Sequence, residues 1–279
     1  MEKERNLGDE RIKKSAEVVS GLDIVDISKR VGFADQTDSK YIAITRDFRD
    51  GEKKNVFDYR NPLRLFEVQF TYSNFTMQDF GITVQTVYEY YKHNILNGFI
   101  GNPKYIVLMV NHHVLLDTMY KDLIEGAGMN VDMILHYHDT LMASCYRGPV
   151  WDNGERPGEF RRNRFPVTKD IEYEVQECLD NLHEASKHSV LDVIVAASEF
   201  MLNFVKLRAF AEGNEMLGSF LFNYILMSNN LPPVAFLYDY QSEYTRCANE
   251  YYNSGNIYEF VRLIEELTVA TWSCDMFKE

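Results

Sequence analysis

The chain has 279 residues, of which 46% are hydrophobic, 14% aromatic and 25% charged, a composition that supports a full buried core and excludes a disordered or fibrous protein. Its formal net charge of -13 argues against a surface that binds nucleic-acid phosphates broadly. Residues 1–60 hold 13 basic and 13 acidic residues, so the whole deficit lies in 61–279, and this shift divides the chain into an N-terminal extension, 1–60, and a main domain, 61–279.

The opening MEKERNLGDERIKK alternates acid and base and lacks the apolar stretch of a secretory signal. Residues 9–32 read as helical from the spacing of Ile12, Val18, Val19, Ile24 and Ile27. Residues 41–60, β-branched and aromatic around the turn signal DGEKK, read as a hairpin or an irregular arm. From 81 onward the pattern predicts helices at 83–96, 103–125, 129–145, 169–184, 190–207, 215–229, 239–253 and 256–270, with Gly or Pro in most of the breaks. The stretch GPVWDNGERPGEFRRNRFPV, 148–167, is dense in Gly and Pro and interrupts them as a projecting loop or hairpin. The expected fold class is all-α, a helical bundle with a small β-hairpin flap and a short N-terminal extension. The longest apolar runs, at 105–110 and 219–227, fall short of the ~20 residues that span a bilayer. No membrane is expected, and the chain reads as cytoplasmic.

Cys145, Cys178, Cys247 and Cys274 show no close pairing and read as free structural thiols. His112 with His113, and His136 with His138, sit at helical spacings that face the two imidazoles apart, so packing outweighs metal binding. Tyr238, Tyr240, Tyr244, Tyr251 and Tyr252 read as the packed and rim-facing side of a helix rather than a base-stacking platform.

Between the apolar segments 190–207 and 215–229 sits RAFAEGN. A Gly-Asn turn feeding a helix aims backbone N–H groups and the positive dipole end at one spot, a general recipe for holding phosphate, although the same pattern serves as an ordinary helix cap. Phe210, Glu212, Gly213 and Asn214, in RAFAEGNEMLGS at 208–219, resemble the motif of the Fic family, His-x-Phe-x-Asp/Glu-Gly-Asn-Gly-Arg-x-x-Arg, set between two helices. RPGEFR at 156–161 resembles the family's flap, giving Gly158, Glu159, Phe160 and Arg161. NNLPPVAF, the tyrosine-rich helix to Tyr252 and SGNIYEFVRLIEEL resemble its closing helices.

The resemblance implies a scaffold for AMP transfer from ATP to a protein hydroxyl, and this chain departs from it at several points. Arg208 stands at the family His, and a guanidinium has no lone pair with which to accept a proton; loss of such a base costs roughly 10²- to 10⁴-fold in rate. Glu215 replaces the second glycine, and Met216 and Ser219 replace both arginines. Glu212 remains at the Mg²⁺-binding position, but one carboxylate is a poor magnesium site. Many relatives carry an inhibitory helix, for which Asn74 and Gln78 are the candidates, with both ends of its salt bridge neutral.

Three readings stand open. The first is a protein with impaired nucleotidyl transfer that acts as a regulatory or binding module. The second is an active transferase using an altered donor, held by Arg208 and Arg161. The third is a DNA-associated regulator working through residues 26–41, which resemble a helix-turn-helix of AraC-type regulators. No cofactor is expected, ATP and Mg²⁺ entering only if activity is retained. The expected partner is another protein, with a homodimer left open.

Overall fold

The computed structural model describes residues 36–51, 62–95, 102–162, 170–185 and 187–273. Every regular element among them is helical: α1 (Gln36–Gly51), α2 (Pro62–Met77), α3 (Val84–His93), α4 (Pro103–Glu125), α5 (Val131–Met142), the single turn α6 (Pro149–Asp152), α7 (Ile171–Glu184), α8 (Val190–Leu207), α9 (Asn214–Ser228), a 3-10 turn (Tyr238–Tyr240), α10 (Gln241–Ser254) and α11 (Tyr258–Trp272).

The helix starts follow from their caps. Thr83, Asn102, Asn130 and Asp170 each accept a backbone N–H of the following turn, and Ser189 and Asp192 form a reciprocal capping box at the start of α8. α8 and α9 are the centre of the bundle and pack on each other most extensively. α9 buries every residue from Met216 to Leu226. Its Gly218 makes that approach feasible, because a Cβ there would lie 2.7 Å from Val205 Cγ2 of α8. Around this pair, α7 and α11 pack on α8, and α4 and α5 pack on α9.

Three elements differ from the sequence expectation. Residues 41–51, read as part of a hairpin or irregular arm over 41–60, belong to helix α1, and residues 52–60 lie outside the described residues. Tyr41 and Thr45 are buried, and the Phe48 ring meets that of Trp272 edge-on at 5.6 Å; positions 41, 45 and 48 are a helical stripe that docks on α11, and this packing outweighs local β-propensity. α2 has no sequence counterpart, since Phe66 to Thr71 and Ser73 to Phe75 are all buried and a helix covered all round shows no amphipathic period. In the flap, the described part is α6 followed by turns, with no strand. Glu155, itself buried, accepts the Arg162 N–H on both carboxylate oxygens (3.1 and 3.2 Å), which curls the described part of the strap back on itself. Residues 163–169, the helical reading at 9–32 and residues 26–35 of the helix-turn-helix-like segment lie outside the described residues.

Candidate functional site

The loop between α8 and α9 is fixed by its own side chains. α8 ends at Arg208, which adopts the left-handed conformation (φ 50°). Asn214 is buried and clamps Phe210 from both sides, its Oδ1 accepting the Phe210 N–H at 2.9 Å and its Nδ2 donating to the Phe210 carbonyl at 2.9 Å. Gly213 turns the chain into α9 at φ 83°, a conformation that costs a residue bearing a Cβ. The Leu217 N–H closes the first helical bond to the Gly213 carbonyl (2.9 Å), and Gly213 has no side chain to cap the turn. The N–H groups of Asn214, Glu215 and Met216 thus belong to an uncapped helix start.

His138 of α5 holds this loop to the flap. Its Nδ1 accepts the Gly158 N–H at 2.9 Å, so Nε2 carries the proton and donates to the Glu212 carbonyl at 3.1 Å. The imidazole lies flat on Phe210, with centroids 3.7 Å apart and 10° between planes. Burial drives the His138 pKa down to about 4, because the interior penalises imidazolium. The Tyr146 hydroxyl accepts the Glu212 N–H at 3.0 Å. Phe160 of the flap approaches Phe210 at 5.4 Å, and the Arg161 N–H donates to the Ala209 carbonyl at 2.9 Å.

Above the loop opens a cavity of about 450 Å³, lined by Gln78, Arg161, Arg208, Phe210, Glu212, Gly213, Asn214, Glu215 and Met216 together with Lys104 and Tyr105 of α4. The fold therefore gathers nine of the residues singled out in the sequence onto one surface. Gly158 and Phe160 stand behind it as flap anchors, and Glu159 faces outward in an exposed pair with Arg162 (2.9 Å). Asn74 lies deeper. It accepts from Ser219 Oγ (3.0 Å) and meets His112 Nε2 (3.0 Å), and His112 Nδ1 meets Thr71 Oγ1 (3.0 Å), which in turn reaches the Tyr91 hydroxyl (2.8 Å). This buried chain ties α2, α3 and α4 to α9.

Four of the charged side chains on the cavity wall form two pairs. Lys104 Nζ lies 2.5 Å from Glu212 Oε2, with both side chains mostly sheltered at 23% and 35% exposure. Arg208 and Glu215 approach at 3.9 Å, both well exposed, so Glu215 is turned towards solvent and its charge is partly met by the arginine. Sequence reasoning did not find Lys104. The signal available was a cation in the first turn of α4 (N-cap Asn102, Pro103, Lys104), where the helix dipole disfavours it unless an acid elsewhere compensates. His138 was weighed as a metal candidate; here both of its nitrogens serve the loop scaffold.

In chemical terms, Arg208 cannot accept a proton. His138, although neutral, lies fully buried behind the loop with both nitrogens engaged. Among the described residues, no three His, Cys, Asp or Glu side chains cluster as a metal centre.

Residues 128–226 match the sequence model of the Fic/DOC family. Among solved structures, the chain is similar to a Fic domain containing signaling protein from Bacteroides thetaiotaomicron, with a TM-score of 0.70, 13% identity, and coverage of 84% of this chain and 95% of that one. It is also similar to a fragment of Fic-1 from C. elegans (TM-score 0.65, 18% identity, 85% and 71% covered) and to a Fic family protein from Desulfovibrio desulfuricans (TM-score 0.62, 15% identity, 86% and 74% covered). At these identities the three structures speak to the fold.

Proposed function

From the match of residues 128–226 to the Fic/DOC family model, we propose that the chain is a family member impaired in nucleotidyl transfer whose cavity serves binding or regulation, with another protein as partner. The observation that carries this reading is the pair of replacements at the reacting end. The position of the family's proton acceptor holds Arg208, a permanent cation that is 67% exposed. The family's Mg²⁺-binding acid, Glu212, faces the Lys104 ammonium at 2.5 Å.

Mg²⁺ fits these residues poorly. It demands octahedral oxygen ligation, supplied elsewhere by carboxylates together with substrate phosphates, and here one carboxylate is already neutralised. The proposed role therefore involves no metal, and no resident cofactor is expected. No helix among the described residues is long and apolar enough to cross a membrane, and Cys145, Cys178 and Cys247 are free thiols. Both features support a cytoplasmic setting within this proposal.

The test is incubation of the purified chain with α-labelled ATP, Mg²⁺ and cell lysate. The expected result is no label on protein above background. Robust transfer that disappears in Glu212→Ala would overturn the proposal. A second reading, transfer from a different anionic donor, is favoured by the placement of Arg161 and Arg208 on the cavity wall. Intact-mass analysis of candidate targets incubated with the chain and a lysate metabolite fraction tests it, absence of any added mass counting against it.

A further inference from the structure

The flap, from Gly148 to Arg162, is closed on itself by its own hydrogen bonds. The Asp152 and Asn153 N–H groups donate to the Gly148 and Pro149 carbonyls, those of Gly154 and Glu155 to Trp151 and Val150, and that of Glu159 to Arg156, at 2.8 to 3.3 Å. The Glu155 carboxylate takes the Arg162 N–H. The Arg156 guanidinium donates to the Trp151 and Glu155 carbonyls and lies 3.6 Å over the Trp151 ring. A segment closed in this way keeps its shape when it moves, and such bodies hinge at a few terminal positions. Gly148 provides one. It stands at φ 56° at the foot of α6, with nothing within 4 Å of where a Cβ would be, so the backbone can turn there without steric cost.

The flap is tied to the core by the Gly158 N–H on His138 Nδ1 (2.9 Å) and the Arg161 N–H on the Ala209 carbonyl (2.9 Å), with Phe160 against Phe210. His138 is shared, because the same imidazole donates from Nε2 to the Glu212 carbonyl (3.1 Å) and stacks on Phe210. A neutral imidazole has one acceptor and one donor, so the flap takes the acceptor and the loop takes the donor. The loop also has ties of its own, in the Asn214 clamp on Phe210 and the Tyr146 hydroxyl at the Glu212 N–H. The flap can therefore leave Nδ1 while the loop keeps its form. Arg161 belongs to the cavity wall, so that departure opens the cavity on one side.

We propose that residues 148–162 are a gate that swings as one body about Gly148, and that His138 is its latch. His138 is thus a positioning residue, its Nδ1 holding the gate shut and its Nε2 holding the loop. As regulation of access to the cavity, the gate rests on the binding role proposed above. The motion itself does not depend on that role.

The test is residue-resolved amide exchange of the full chain by NMR at pH 7, corrected for intrinsic rates. In the native chain Gly158 and Arg161 are expected to exchange within about 3-fold of each other and at least ~10-fold faster than Glu155, Phe210 and Leu217, since the gate opens while its interior and the loop stay bonded. His138→Gln keeps a donor near Nε2 and loses the acceptor at Nδ1. It is expected to speed Gly158 and Arg161 by a further ~10-fold and to leave Phe210 within about 3-fold. His138→Asn restores an acceptor near Nδ1 and is expected to bring Gly158 back to within about 3-fold of the native rate. Gly158 exchanging no faster than Phe210 in the native chain, flap and loop accelerating together in His138→Gln, or no recovery in a folded His138→Asn would overturn the proposal. The native-chain comparison decides it if either variant fails to fold. No ligand or label transfer enters this readout, so the gate can fail while impaired transfer stands, and the reverse.

Discussion

A Cβ at position 213 would lie 2.8 Å from Met142 Sδ, on a backbone already at φ 83°. The methionine can shift, but the left-handed backbone cannot be relieved without reorienting the turn, so Gly213→Ala is expected to destabilise the chain by about 1–3 kcal/mol in urea unfolding. Asn214, whose two hydrogen bonds to Phe210 are its visible role, makes a second case. Asn214→Ala leaves a buried N–H and carbonyl unpaired and is expected to cost about 1–3 kcal/mol.

The buried histidines carry a pH signature at the same scale. Burial lowers the pKa of His138 to about 4 and that of His112 to about 3, both below an unfolded value near ~6.5. Between these limits the unfolded chain binds more protons than the folded one. Their contribution is therefore complete above about pH 6.5 and declines as the pH falls towards 4. Denaturation at pH 7.5, 6 and 5 is expected to show a stability difference between the native chain and His138→Gln that shrinks with acidification. A difference that is constant with pH would mean that the fold does not shift the His138 pKa from its unfolded value.

Among the elements, α1 and the pairing of α2 with α9 set what the chain tolerates. α1 docks on α11 through Phe48 and Trp272, and Trp272 also donates from Nε1 to the Pro233 carbonyl (2.9 Å). Phe48→Ala, made in a Trp151→Phe background so that one tryptophan reports, is expected to red-shift the emission and cost about 1–3 kcal/mol. An unchanged spectrum would place α1 away from α11.

Ser219 is buried on α9 with its hydroxyl on Asn74 Oδ1 and the Met216 carbonyl. Restoring the family arginine by Ser219→Arg is expected to cost about 3 kcal/mol or more, because it overpacks the core and buries a charge. Ser219 and Asn74 have become one packed unit. The sequence pointed to both positions as departures and did not reveal that they touch, since 145 residues separate them.

For the molecule as a whole, reverting the motif loop alone is not enough. Arg208→His, Glu215→Gly and Met216→Arg together leave Lys104 on Glu212, so Mg²⁺-dependent ATP binding is expected to stay undetectable in that triple variant and to appear when Lys104→Ala is added. Calorimetry with and without Mg²⁺ checks this, and Mg²⁺-dependent binding by the triple variant would show that Lys104 does not compete with the metal.

The sequence by itself determined the all-helical class and the ends of α4 and α8, because capping residues, glycine breaks and apolar spacing are local signals. It also determined the identity of the α8–α9 loop, whose residues are contiguous. It did not show α2, which is buried all round and so has no period, nor the flap's path, which depends on Glu155 curling back to the Arg162 N–H. The Lys104 partner of Glu212 was decided by tertiary structure alone: the two are 108 positions apart in sequence. Their pairing arises only when the start of α4 is packed beside the start of α9, for electrostatic partners are selected by distance in space, on which sequence separation is silent.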